Sequence, residues 1–180
     1  MRVVIGYASA HRSTASIAER IAERLRDLGH AVDLESFDEL ASVDSYDCLI
    51  LGSAVHNGQW LPAAEEAVDN LLIHDALRDK YVWTFSVSSV GETSSLLSPR
   101  LAQLLRRHIP EPIAFALLHN LSDIQGHRSF AGAIAPGQWS GLGNIVFRLM
   151  GGRYGNATDH ADIDRWALRI ANALAVHRSA

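Results

Sequence analysis

A single cysteine, Cys48, occurs in the 180 residues. One thiol rules out an intrachain disulfide and leaves no cysteine pair for a metal site. It lies in the apolar run "DCLILGS", where the plain reading is a small buried hydrophobe. Long apolar runs are missing too: none approaches the ~18 residues of a membrane span. The first residues enter a strand pattern directly, so no signal peptide is expected there. Basic blocks are also absent. Sixteen Lys and Arg against twenty Asp and Glu give a formal charge of −4, and the longest basic run is Arg106–Arg107. A nucleic-acid partner is therefore not expected. The expected compartment is the cytoplasm, with at most peripheral contact to the inner face of a membrane.

Several motifs are missing as well. No G-x-G-x-x-G follows the first strand pattern, and neither G-K-[ST] nor G-x-S-x-G occurs. A dinucleotide fingerprint, a P-loop and a hydrolase elbow are excluded on that ground. The first and third strand patterns end in Tyr7 and Gly52-Ser53, not in the aspartates a receiver domain needs. No spacing of His, Cys or carboxylates suggests zinc, and "DHADID" (159–164) lacks calcium-loop spacing.

What is present suffices for one domain: 48% of the residues are hydrophobic. "RVVIGY" (2–7), "YDCLILGS" (46–53) and "KYVWTFSVSS" (80–89) are continuous apolar runs that suit strands buried on both faces. "HAVDLESF" (30–37) alternates, as an edge strand does, and "SFAGAI" (129–134) is a small-residue strand. Between them lie helical patterns. Ile17, Ile21, Leu25 and Leu28 form a stripe after the first strand, closed by Gly29 at C′. Ser16-x-x-Glu19 matches a capping box, with Ser13 or Thr14 as caps one turn earlier. Pro62 opens a helix to about His74, Ser98-Pro99 opens one to about His108, and 161–174 closes the chain with Ile163, Trp166, Ile170 and Leu174 inward. Alternating strands and helices predict a parallel α/β sheet. Five strands with an edge-type second strand fit the order 2-1-3-4-5, a three-layer sandwich. The stretch 92–128 reads as an irregular or helical insertion into this single domain, with a short extra helix expected over Ile113–Leu121.

In that order four loops share the carboxyl edge of the sheet: "ASAHRST" (8–14), "AVHNGQW" (54–60), "VSSVGETSS" (87–95) and "APGQW" (135–139). The first offers Ser9, Ser13 and Thr14 hydroxyls before a helix. These suit either a phosphate dianion or ordinary capping. Trp60 suits either stacking on a planar ligand or filling the core. His56 is either a titrating group or merely solvated. Ser88, Ser89 and Gly91 suit either turn chemistry or hydrogen bonds to a ring edge.

These residues resemble the flavodoxin-like family. "YASAHRSTASIAERIAERL" is similar to the phosphate loop and first helix of flavodoxins, roughly [ST]-x-[ST]-G-x-T, and "LILGSAVHNGQW" to the third strand and the loop over the flavin. Length, "FAGAI", "WSGLGNIVFRLMGG" and "DIDRWALRIA" resemble the menaquinone-dependent protoporphyrinogen IX dehydrogenase type. The resemblance implies FMN as cofactor. Ser9, Ala10, His11, Arg12, Ser13 and Thr14 would wrap its phosphate. Ala54, Val55, His56, Asn57, Gly58 and Trp60 would lie along one side of the ring, and Ser86, Ser88, Ser89 and Gly91 along the other or its edge. Gly58 marks the peptide that could turn toward the flavin N5. The departure is Arg12 at the family's glycine. A positive φ there costs arginine about 1 kcal/mol. Its guanidinium can grip phosphate, or reach outward to a second anion such as a substrate carboxylate. The implied function is oxidation of protoporphyrinogen IX or a similar small molecule with a quinone or redox-protein acceptor. The alternative is an electron carrier without its own substrate. The apolar stretch Trp139–Met150 reads either as a core helix or as a seat for a porphyrinogen or a membrane surface.

Overall fold

The computed structural model describes residues 1–108, 112, 114, 118, 124–134 and 152–177. The chain runs β1 (Arg2–Ala8), α1 (Ser13–Asp27), β2 (Ala31–Ser36), β3 (Cys48–His56), β4 (Gln59–Trp60), α2 (Pro62–Ile73), β5 (Tyr81–Ser88), α3 (Pro99–His108), β6 (Ile124–Ala131), β7 (Ala133–Ile134), β8 (Gly155–Asn156) and α4 (His160–His177). The main sheet has the order β2-β1-β3-β5-β6, all parallel, with β4 added antiparallel to β3. This is the expected order, renumbered only because the two-residue β4 intervenes.

Burial follows the apolar patterns. In the three central strands, Val3, Val4, Ile5, Cys48 through Leu51, Val82 and Phe85 are wholly buried. Successive residues point to opposite faces, so each strand feeds two cores. One core packs Ile5, Ile50 and Phe85 against α1 and α4, through Ile17, Ile21, Ile163, Trp166 and Ile170. Fully burying each such aliphatic chain contributes roughly 1.5–3 kcal/mol. The other packs Val4, Leu49 and Leu51 against α2 and against Ala114 and Leu118. Trp166 meets Trp83, Phe85 and Phe130 edge-on, with centroids 5.7–6.2 Å apart. The edge strand β2 alternates as expected, with Val32 inward.

Several boundaries differ from the sequence reading, each for a local reason. Leu28 is 40% exposed, because α1 ends before it. The end itself is a Schellman closure: the Gly29 amide donates to Arg26 O (2.9 Å), the His30 amide to Leu25 O (3.1 Å), and Gly29 has φ 88°. The capping box is not formed. Arg12 is the N-cap, so Ser16 lies a turn inside the helix. The last strand starts five residues early, at Ile124, because Gly126, His127 and Arg128 pair with Trp83, Thr84 and Phe85. It stops at Ala131, and Ala133–Ile134 leaves the sheet to pair with Gly155–Asn156. Most of the helix expected at Ile113–Leu121, and all of Trp139–Met150, lie outside the described residues.

Arg128 of β6 links Glu92, after β5, to Asp162 of α4. Arg128 donates from Nε and Nη2 to the buried Asp162 (3.2 and 2.5 Å) and meets Glu92 at 2.5 Å. Asp162 also accepts from Arg165 (3.3 Å). The Asp162 carboxylate is therefore paired, as a buried charge must be.

Candidate functional site

Strand register gathers the loops. Ala8 lies opposite Ser53, Ser53 opposite Ser86, Ala54 opposite Val87, and Ser88 opposite Ala131. β5 and β6 end level and β1 and β3 end within about three residues of them, so the segments after β1, β3 and β5 emerge side by side. The fourth loop, 135–139, lies outside the described residues.

The loop after β1 turns into α1 through Arg12, at φ 64° and ψ −15°. That is the left-handed conformation a glycine would take, here carried by an arginine at a cost of roughly 1–2 kcal/mol. Its carbonyl accepts the first helical bond from Ser16 N (2.9 Å), and no side chain caps the helix. The first-turn amides therefore have no intrahelical partner and sit at the positive end of the dipole. Ser9 Oγ is buried and has no hydrogen-bond partner among the described residues. Ser13 is spoken for: its hydroxyl donates to Ala133 O and accepts from Ala133 N, both at 3.1 Å. Thr14 is 1% exposed.

The second loop is a hairpin. β3 continues to His56, Asn57 and Gly58 turn at φ 52° and 81°, and Gln59–Trp60 returns. Positive φ at both turn residues is the geometry for which Asn-Gly is selected. His56 and Asn57 are exposed at the tip, and Ala54 and Val55 are half-buried. Trp60 is 2% exposed and donates from Nε1 to Ser86 Oγ at 2.8 Å. The structure therefore uses Trp60 and Ser86 as a core pair rather than bringing them to the crevice. Ser53, which the sequence reading did not single out, anchors the hairpin by accepting from Leu61 N (3.0 Å).

The third loop is built from its own turn chemistry. Ser88 Oγ donates to Val90 O (2.9 Å) and accepts from Val90 N (3.1 Å). Ser89 O accepts from Leu96 N (2.9 Å). Gly91 O accepts from Arg106 Nε (2.8 Å), and a Cβ on Gly91 would meet Ala131 N at 2.3 Å. Gly91 is required for packing against β6.

A cavity of about 440 Å³ opens beside the first loop, toward β2. Ser9, Ala10 and Arg12 form one side, Ser36, Phe37 and Asp38 a second, and Leu61 and Ala63 at the start of α2 a third. Asp38 and Ser36 carry no motif and went unnoticed in the sequence. The parallel pairing of Tyr7 with Ser36 is what brings them to the loop. Among the described residues, no group of three side chains is placed to hold a metal, and no helix is long and apolar enough to cross a membrane. Cys48 is buried, its thiol pushed up to about 12 by desolvation. It takes no part in the edge.

A parallel sheet in this order, with an uncapped helix start and two further loops at its carboxyl edge, defines a flavodoxin-like α/β protein. The sequence agrees: residues 4–140 match the model of the flavodoxin domain, and the chain belongs to that family. Oxidised flavodoxin 2 from Bacillus cereus superposes with a TM-score of 0.60 at 21% identity, over 96% of this chain and 99% of that one. A flavodoxin from the domain Archaea gives 0.57 at 16%, over 96% and 98%. Rubredoxin oxygen:oxidoreductase from Desulfovibrio gigas gives 0.60 at 19%, over 99% of this chain; the match spans 37% of that longer chain. Comparison with curated proteins gives no match.

Proposed function

We propose that the chain binds FMN at the carboxyl edge and works as a flavin-dependent oxidoreductase. The observation that carries this is the start of α1. It has an uncapped first turn, a buried Ser9 hydroxyl without a partner among the described residues, and Arg12 held in the left-handed conformation of a phosphate-loop glycine. Those features fit a phosphate dianion, since amides, dipole and hydroxyl all favour negative charge there. The amides of 10–14 with Ser9 would hold the phosphate. The tip formed by Val55, His56, Asn57 and Gly58, with the Ser88–Gly91 turn, would border the ring. Bound FMN would supply the electron chemistry, accepting from one partner and passing to another. The protein's part is to position it, and the Ser88 and Gly91 bonds that fix the third loop serve that. Protoporphyrinogen IX or a similar reduced small molecule is the proposed donor, and a quinone or a redox protein the proposed acceptor. The proposed setting is cytoplasmic, with at most peripheral membrane contact.

The test is the visible spectrum of the purified protein and a titration with FMN followed by quenching of flavin fluorescence. A yellow protein, or saturable quenching by FMN, is expected. A colourless protein that ignores added FMN refutes the reading. A second reading is an electron carrier without its own substrate. It is favoured by the edge itself, where no described side chain is engaged as an acid–base pair. Anaerobic turnover of protoporphyrinogen with a menaquinone analogue separates the two: turnover supports the enzyme, and reduction without turnover the carrier.

A further inference from the structure

The turn after β5 is held mostly by charged and polar side chains. Its ends are anchored by apolar burial, through Val90 on one side and Leu96 and Leu97 on the other. Between them Glu92 and Thr93 are exposed, and Ser94 and Ser95 are half-buried. Gly91 packs on the backbone at the end of β6, against Phe130 and Ala131. Glu92 then meets β6, the last strand of the sheet, where a further strand would add. Its amide donates to Ser129 O (2.9 Å), and its carboxylate accepts from Ser129 N (3.2 Å).

Polar groups from three other places converge on this turn. Arg106 of α3 donates to Gly91 O (2.8 Å) and Ser94 O (3.3 Å). Thr93 lies against Asp159, just before α4. Arg128 of β6 meets Glu92 with Nη1 and holds Asp162 of α4 with Nε and Nη2. Asp162 alone pairs Arg128 and ties β6 to α4. The contact from Nη1 to Glu92 adds nothing to that joint and fixes only the turn. All three guanidinium nitrogens are thereby engaged, and the Arg128 side chain is 17% exposed, so it is not placed to take a ligand anion. Its planar fork, gripped at two nitrogens by the buried Asp162, makes a rigid post at the third.

The residues this post steadies are Ser88–Gly91, the stretch read above as bordering the flavin ring. We infer that Glu92 and Arg128 are positioning residues: anchored by Asp162, they hold the Ser88–Gly91 turn in its flavin-bordering shape before FMN arrives. The inference rests on the flavin reading. A loop ordered at folding raises affinity, because binding then carries no cost for ordering it.

The experiment compares full-length parent, Glu92→Ala and Glu92→Gln. Alanine removes the acceptor for both Arg128 and the Ser129 amide, while glutamine keeps an oxygen. Without FMN, amide hydrogen exchange over 88–95 should quicken in Glu92→Ala, with α1 and β3 still protected. FMN should bind Glu92→Ala about tenfold more weakly, equivalent to about 1.4 kcal/mol, with altered absorption bands of the bound flavin. Glutamine should lose no more than about threefold, since it still accepts a hydrogen bond. Arg128→Lys keeps the charge but cannot bridge two carboxylates; it should weaken FMN like Glu92→Ala, and the two together should add no further loss. A merely structural role lowers Tm and leaves FMN affinity and the flavin spectrum unchanged, and that result overturns the inference. So do unaltered exchange over 88–95, global unfolding of Glu92→Ala, a glutamine variant as weak as alanine, or fully additive losses. A parent that binds no FMN refutes the flavin reading, and this role with it. A parent that binds FMN beside a Glu92→Ala variant that binds it equally well refutes the positioning alone.

Discussion

Replacing Arg12 by glycine should stabilise the protein in the absence of any ligand. Arg12 sits at φ 64°, ψ −15°, and its side chain makes no ion pair among the described residues, so few contacts are lost. An L-residue in this region costs roughly 1–2 kcal/mol, and glycine removes that cost. Against it stands the larger backbone entropy that glycine loses on folding, roughly 0.5–1 kcal/mol. Glycine is also an accepted N-cap residue. The balance centres on a gain of about 0.75 kcal/mol, which in a chain of this length raises Tm by about 1.5–3 °C. The assay is thermal unfolding by circular dichroism on ligand-free protein, with Arg12→Ala beside it. Alanine removes the same guanidinium but keeps the strained φ, so it should stay within about 0.5 kcal/mol of the parent. If Arg12→Gly unfolds at or below the parent temperature, or if alanine gains as much as glycine, then the left-handed backbone is not the source of strain and the reasoning fails.

Other outcomes follow from the same contacts. Asp162→Ala leaves two Arg128 donors unpaired, with Glu92 as its remaining counter-ion, and should cost about 1–3 kcal/mol, read as a fall in denaturation midpoint at unchanged m-value. Trp60→Phe removes the bond to Ser86 and should cost about 1–3 kcal/mol in urea unfolding while leaving FMN affinity unchanged, since the ring belongs to the core. Loss of flavin binding in that variant would instead place Trp60 at the ring. Gly91→Ala should be strongly destabilising, because the added carbon meets Ala131 N at 2.3 Å and backbone must move. His127 is half-buried beside Thr84, and desolvation lowers its pKa to about 4 from 6.5. The unfolded chain therefore binds a proton that the folded chain refuses. Stability from this group is full above pH ~6.5 and is lost as the pH falls toward 4, by up to about 3 kcal/mol. Unfolding midpoints measured between those pH values should show a loss that His127→Gln lacks. Equal slopes in the two proteins would refute it.

By itself, the sequence determined the elements whose signals are local. The apolar runs at 2–7 and 46–53 became central strands because a run without polar breaks can only be buried on both faces. Pro62 and Pro99 open α2 and α3, and Gly29 closes α1 at the residue where left-handed backbone is needed. The anomaly at Arg12 was legible too, because the phosphate-loop pattern marked the glycine position. Tertiary structure decided what depends on partners distant in sequence. The core role of Trp60 was fixed by Ser86, and the start of β6 by the pairing of Gly126 with Trp83. Leu28 fits the helical stripe yet faces solvent, since periodicity counts turns but does not know where the sheet ends. Asp38 carries no motif at all. It reaches the site only because β2 lies parallel to β1 and ends level with it, which places the residue after one strand beside the loop after the other.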